Sequence, residues 1–294
     1  MEHVDGFLDY LRYQKRFSPH TLRNYRRDLE QFLAFLSEEC GEPDLTAVHH
    51  HLIRAWVLAQ MEREEARSSI KRRLSALRSF YRHLLREGQV AQNPATLVQM
   101  PKAPQKLVRG VAEGEMERLL AQPPLEAGEW GATQAVIMEI FYGTGVRVAE
   151  LVALDVGDCD LAGRKITVTG KGRKQREIPL AEGLNEKIRQ YLAAYPKSAE
   201  QALLQTRGGA RLYPRLVYKV VNHYLSMVSG SDQKSPHVLR HSFATHMLNR
   251  GADLQSIKEL LGHASLAATQ VYTHHSIEKL KSMYNQAHPR SHKE

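Results

Sequence analysis

Apolar positions in this chain recur mostly at intervals of three and four, and in one stretch at intervals of two. Val4, Phe7, Leu8 and Leu11 keep helical spacing and predict a first short helix. Ser18-Pro19 follows, a side chain suited to an N-cap and a ring suited to the first helical position. Leu22, Tyr25, Leu29, Phe32, Leu33 and Leu36 then share one face of a second helix, with Arg23, Arg26 and Arg27 on the opposite face. A third helix is expected over 48–64, with Leu52, Trp56 and Met61 inward and His49, His50 and His51 at its start. Consecutive residues point in different directions round a helix, so the three histidines read as surface residues. A fourth helix, over 68–87, has Ile70, Leu74, Leu77, Phe80 and Leu84 inside and Gly88 just past its end.

Residues 93–106 hold Pro94, Pro101 and Pro104 without periodicity and read as a linker. Helical patterning resumes near Val111. The run ATQAVIMEIFYG is apolar enough to be a buried helix, and it ends at Gly143-Thr144-Gly145, where VRVAELVAL opens the next. Alternation of two then takes over. Ile166 and Val168 on one side of Gly170-Lys171-Gly172, and Ile178 and Leu180 on the other, predict a β-hairpin with a glycine-flanked tip. A third short strand is expected around Leu203-Leu204, and an amphipathic helix over 214–227. Ile277, Leu280 and Tyr284 mark a short terminal helix, to be packed on its own domain or on a neighbouring protomer. The expected architecture is mainly α with a small β-sheet. It divides into a helical N-terminal domain (1–90), a linker (91–108) and a C-terminal domain (109–294).

Composition narrows the partners. The formal charge of +9 and pI near 9.5 favour a polyanion, nucleic acid first and an anionic membrane second. On the fourth helix Lys71, Arg72, Arg73, Arg78, Arg82 and Arg86 crowd one side with few acids to offset them, a pattern that suits phosphate contact better than an ordinary solvated face. Expected DNA-contacting residues are Arg23, Arg26, Arg27, Lys71, Arg72, Arg73, Arg78, Arg215 and Lys219. Two distant cysteines, Cys40 and Cys159, have no metal-type spacing, which argues against a disulfide framework or zinc site and for a reducing compartment. The acidic, weakly apolar start does not resemble a secretory signal, and no stretch has the roughly 18 consecutive apolar residues of a membrane span. A cytoplasmic protein is expected.

Residues 236–274 offer His237, Arg240, His263 and Tyr272, and Arg147 lies upstream. A guanidinium fork fits two phosphate oxygens at once. A phenol is a weak nucleophile at neutral pH unless a base or local positive charge assists it, and histidine suits that proton traffic. The set suits a tyrosine attacking a phosphodiester without a metal. His237-Val-Leu-Arg240, Leu261-Gly262-His263 and Tyr272 resemble the second active-site box of the tyrosine recombinases, the family of lambda integrase, Cre and the Xer proteins. Gly143-Thr-Gly-Val-Arg147 resembles the first. The words RHSFATHML, GADL and LLGHAS look most like the Xer branch, with Ala268 a departure where the pattern has threonine.

The resemblance implies a SAM-like core-binding domain and a catalytic domain that together clamp DNA. It implies that Arg147, Arg240 and His263 bind the scissile phosphate and that Tyr272 forms a 3′-phosphotyrosyl bond. His237 would assist proton transfer, and Lys171 at the hairpin tip would protonate the leaving 5′ oxygen. Lys165 and Lys174 compete with Lys171, and Tyr284 competes with Tyr272 on position. Glu150 would hold Arg147 through an i,i+3 pair. No cofactor, metal or ATP is implied. The implied partners are a double-stranded recombination site, a homo- or hetero-tetramer on a Holliday junction, a paralogous recombinase and a septal DNA translocase, with resolution of chromosome dimers at cell division as the role. Alternatives are an integrase of a phage or mobile element, a type IB topoisomerase relaxing supercoils, and a DNA-binding protein without catalysis.

Overall fold

The structure, a computed structural model, describes residues 2–41, 44–99, 110–170, 174–228 and 234–262, together with Tyr284 and Ala287. It divides into two compact units, Met1–Lys106 and Leu107–Glu294.

The first unit is built from α1 (Glu2–Asp9), continued by a π-helical turn over Tyr10–Gln14, then α2 (Pro19–Cys40), α3 (His50–Glu62) and α4 (Arg67–Arg86). Ser18 caps α2 by accepting from the Thr21 amide at 3.2 Å, as its position ahead of Pro19 suggests. Phe7, Leu29, Phe32, Leu36, Ile53, Trp56, Ile70, Leu74, Leu77 and Phe80 form the core, with the Phe7 and Phe80 rings edge to face at 5.5 Å. Each such side chain stabilises the unit by about 1.5–3 kcal/mol relative to exposure. Gly88 takes the left-handed conformation (φ 70°) that ends α4.

Composition alone misassigns two features here. Residues 93–98 read as linker, yet Ala95 and Val98 are buried in the first core, and Arg78 bonds to both of their carbonyls at 3.1 and 2.7 Å. Arg73 belongs to the inner side of α4: it is 9 % exposed and donates to Gln60 at 2.5 Å and to Glu65.

The second unit holds α5 (Glu113–Ala121), α6 (Gly128–Thr144), α7 (Val148–Ala153), β1 (Cys159–Asp160), β2 (Lys165–Thr169), β3 (Gln175–Pro179), α8 (Glu182–Ala194), α9 (Pro214–Val228), α10 (Pro236–Asn249) and α11 (Leu254–Leu261). Helix α6 is the centrepiece. It is apolar all round, and Ile137, Met138, Ile140, Phe141 and Tyr142 are buried on every side. Among its buried polar groups, Thr133 bonds to the Tyr191 hydroxyl at 2.8 Å, Glu139 accepts from Lys187, and Gln134 donates to Glu126 at 3.3 Å.

The sheet has the order β1-β2-β3, all antiparallel, with Ile166 opposite Ile178 and Val168 opposite Arg176. The third strand expected at Leu203-Leu204 is not part of it. That stretch makes only an isolated bridge, Asp155 with Ala202, and the Leu203 amide bonds to the Leu154 carbonyl at 3.0 Å; the outer place beside β2 goes to the two-residue β1. Tyr284, far along the chain, is fully buried in this second core and its hydroxyl donates to the Gly143 carbonyl.

Candidate active site

The site forms where α6 ends, α7 begins and α11 ends. Gly145 terminates α6 in the left-handed conformation (φ 62°), and a side chain there would approach Phe243 to 2.6 Å and Leu261 to 2.8 Å. This close approach brings the α6–α7 turn against α10 and α11. Arg147 then stands at the N-cap of α7, its amide bonded to Glu150 Oε2 at 2.8 Å and its guanidinium to Glu150 Oε1 at 2.9 Å. The i,i+3 pair is therefore formed.

Helix α11 ends at Gly262, left-handed at φ 63°. The last carbonyls of a helix have no partner within it and carry the negative end of its dipole. Three guanidinium groups meet them. Arg176 Nε donates to Leu260 O at 2.8 Å, an Arg240 amino group to Leu261 O at 2.6 Å, and an Arg147 amino group to Gly262 O at 2.9 Å. Arg240 also donates to Gly145 O, tying α10 to the α6–α7 turn. Arg147 and Arg240, 93 positions apart, thus serve adjacent residues of one helix end. His263 is the next residue in sequence; with Tyr272 and Lys171 it lies outside the described residues.

His237 is exposed in the first turn of α10, one turn before Arg240 and on the same side of the helix. Among the rivals, Lys165 sits at the base of the hairpin opposite Pro179 and pairs with Glu177 at 2.7 Å. Four residue steps, about 13 Å, separate it from the end of β2 nearest the tip. Lys174 is exposed beside the tip. Tyr284, the rival by position, is buried: burial pushes its phenol well above the ordinary range, and its hydroxyl donates to the Gly143 carbonyl at the end of α6.

Electrostatics follow from this packing. Burial alone would raise the Glu150 carboxyl, but hydrogen bonds from Arg176, then from the Arg147 amide, outweigh it and hold the group at about 2. Burial, with Arg147 as the next cause, lowers Arg240 to about 10, so the guanidinium stays charged at neutral pH while its surroundings disfavour further cations. A half-buried place with this surplus of guanidinium charge is built to take an anion.

Arg176 is the residue that motif reading missed. It is buried, and both amino groups bond to Glu150, at 2.8 and 2.9 Å. A signal was present: Arg176 shares the strand phase of Ile178, so a basic residue occupied a core-facing position of an alternating strand.

The basic residues expected to touch DNA divide into two sets. Arg23, Arg27, Lys71, Arg215 and Lys219 are exposed, and Arg26 and Arg72 are exposed but paired, with Asp5 at 2.9 Å and with the buried Asp28 respectively. Arg73 and Arg78 are corrections: their guanidinium groups are committed to Gln60 and Glu65, and to the backbone of residues 95 and 98, so neither is presented to a phosphate.

Comparison with known proteins agrees in sequence and fold. Residues 109–279 match the phage integrase family and residues 4–88 the phage integrase N-terminal SAM-like domain. The chain is 41 % identical over 292 residues to the tyrosine recombinase XerC of Pelobacter propionicus, covering 99 % of this chain and 96 % of that one. It is 39 % identical over 302 residues to XerC of Pelotomaculum thermopropionicum, covering 98 % of both. Its fold matches the XerH site-specific recombinase bound to palindromic difH substrate (TM-score 0.72, 20 % identity, 95 % and 83 % covered). It also matches a lambda integrase dimer bound to a core site (TM-score 0.70, 18 % identity, 92 % and 98 % covered). By these matches the chain belongs to the phage integrase family and is a tyrosine recombinase of the Xer type.

Proposed function

We propose that this enzyme cuts and rejoins DNA strands at a specific site through a 3′-phosphotyrosyl intermediate on Tyr272, and that it resolves chromosome dimers at cell division. The observation that carries the chemical part is the convergence of Arg147 and Arg240 on one helix end, beside the buried Glu150 and directly before His263. In this reading the two guanidinium groups and His263 hold the non-bridging oxygens of the scissile phosphate and stabilise the charge of the pentavalent transition state. Tyr272 attacks in line and His237 assists its deprotonation. Lys171 gives a proton to the leaving 5′ oxygen. The 5′ hydroxyl of the partner strand then attacks the phosphotyrosine, releases the tyrosine and forms a new phosphodiester. One ester replaces another, so the bond energy is kept and ATP is not needed. Cationic side chains provide the stabilisation that a metal supplies elsewhere.

The cellular role rests on likeness to the XerC proteins. Solved relatives include a post-cleavage complex of XerH on DNA and a lambda integrase tetramer on a Holliday junction. By analogy the two units of this chain would clamp a duplex site, four protomers would assemble on a junction, and a paralogous recombinase and a septal translocase would take part, in the cytoplasm. Among the described residues no helix is long and apolar enough to cross a membrane.

A nicked suicide substrate tests the chemistry. In excess EDTA the wild-type protein is expected to form a denaturant-stable adduct with DNA. Tyr272→Phe should abolish it and Tyr284→Phe should retain it. An adduct that needs divalent metal, or that survives Tyr272→Phe, would refute the reading. Relaxation of supercoils without strand exchange would point to the topoisomerase alternative.

A further inference from the structure

We infer that Arg176 is a positioning residue for the phosphate clamp: it fixes Glu150 and the end of α11 so that Arg147 and Arg240 present their guanidinium groups to the scissile phosphate. The inference rests on the reading of those two arginines given above and adds a residue to it.

The geometry is specific. Arg176 lies on β3, on the same face as Ile178, and is buried. Its head makes three bonds. Two form a fork on Glu150, and the third, from Nε, reaches Leu260 O on α11. The fork pins both carboxylate oxygens, and these same oxygens receive the Arg147 amide and guanidinium. With Glu150 held, Arg147 is held. The bond to Leu260 O fixes the first of three successive carbonyls; the second and third are taken by Arg240 and Arg147. Gly262 packs directly on the Arg176 head, since a side chain there would stand 3.2–3.3 Å from three of its atoms. The left-handed turn that leads into His263 is thus shaped against this guanidinium.

Arg176 itself is 8 % exposed and spends its donors inward, so a direct phosphate contact is not its role. A lysine would keep the charge but not the planar fork, and could not serve Glu150 and Leu260 together. The part that matters is therefore geometry, and its loss should appear in the cleavage step rather than in DNA affinity.

The test compares wild type, Arg176→Lys and Arg176→Gln in the full-length protein. Adduct formation is followed on a nicked DNA substrate and on the same DNA with a methylphosphonate at the scissile position. That group lacks one charged oxygen and so depends less on a well-placed guanidinium. All rates are taken well below the lowest melting temperature of the set. On the phosphodiester, both variants are expected to cleave about tenfold or more slowly, with affinity for DNA changed less than about threefold. On the methylphosphonate the deficit relative to wild type should shrink. Unchanged cleavage would overturn the inference, as would an equal deficit on both substrates or one that merely follows lost DNA binding. If wild type itself forms no adduct, the reading of the site has failed, whatever Arg176 does.

Discussion

Glu150 shows how a single residue organises this site. It is 3 % exposed and would be costly to bury as a charge, yet it receives bonds from two arginines and one amide. Its carboxyl titrates at about 2 in the folded protein against an ordinary value of 4.5. A group whose folded value is depressed contributes its stability above the unfolded value and loses it as pH falls through the folded one. Glu150→Gln should therefore be clearly less stable than wild type at neutral pH in denaturant melts. The gap should narrow as pH falls from 4.5 toward 2. A gap that widens on acidification would contradict the assignment. Arg147 and Arg240 were legible in the sequence because short local words carry them. Arg176 was legible only as a basic residue in a core-facing strand phase; its partners stand 26 and 84 positions away, and no local spacing announces them.

At the scale of the element, α4 separates two kinds of basic residue that look alike in sequence. Its outward stripe includes Lys71, Arg72 and Arg82, whereas Arg73 is turned into the unit by the 100° step between neighbours. In sequence the basic face of the helix therefore looked broader than it is. Two substitutions distinguish the sides. Lys71→Ala should leave melting unchanged, weaken binding across DNA sequences, and reduce the slope of log affinity against log salt by about 1. Arg73→Ala should cost about 1–3 kcal/mol in thermal or denaturant melts, because it strands Gln60 and Glu65, and should leave the salt slope near its wild-type value. The reverse pattern would show that the helix faces DNA through its other side. The misplaced strand has a similar origin. Leu203 and Leu204 are fully apolar and compatible with a strand, but they fill the core beside Leu154 instead of adding to the sheet.

At the scale of the molecule, a basic surplus, two helical units and one small sheet were all readable from periodicity and charge. The extent of the first unit was less so, because Ala95 and Val98 are anchored by Arg78 rather than by any pattern of their own. In the proposed chemistry a tyrosine carries the DNA, and arginines rather than a metal neutralise the phosphate. The most direct test is to trap the adduct in EDTA, digest it with trypsin, and locate the nucleotide by mass spectrometry. The account predicts a 3′-phosphate ester on Tyr272 alone. A nucleotide on any other residue, a 5′ linkage, or strand breakage that requires divalent metal and leaves both ends free would contradict it.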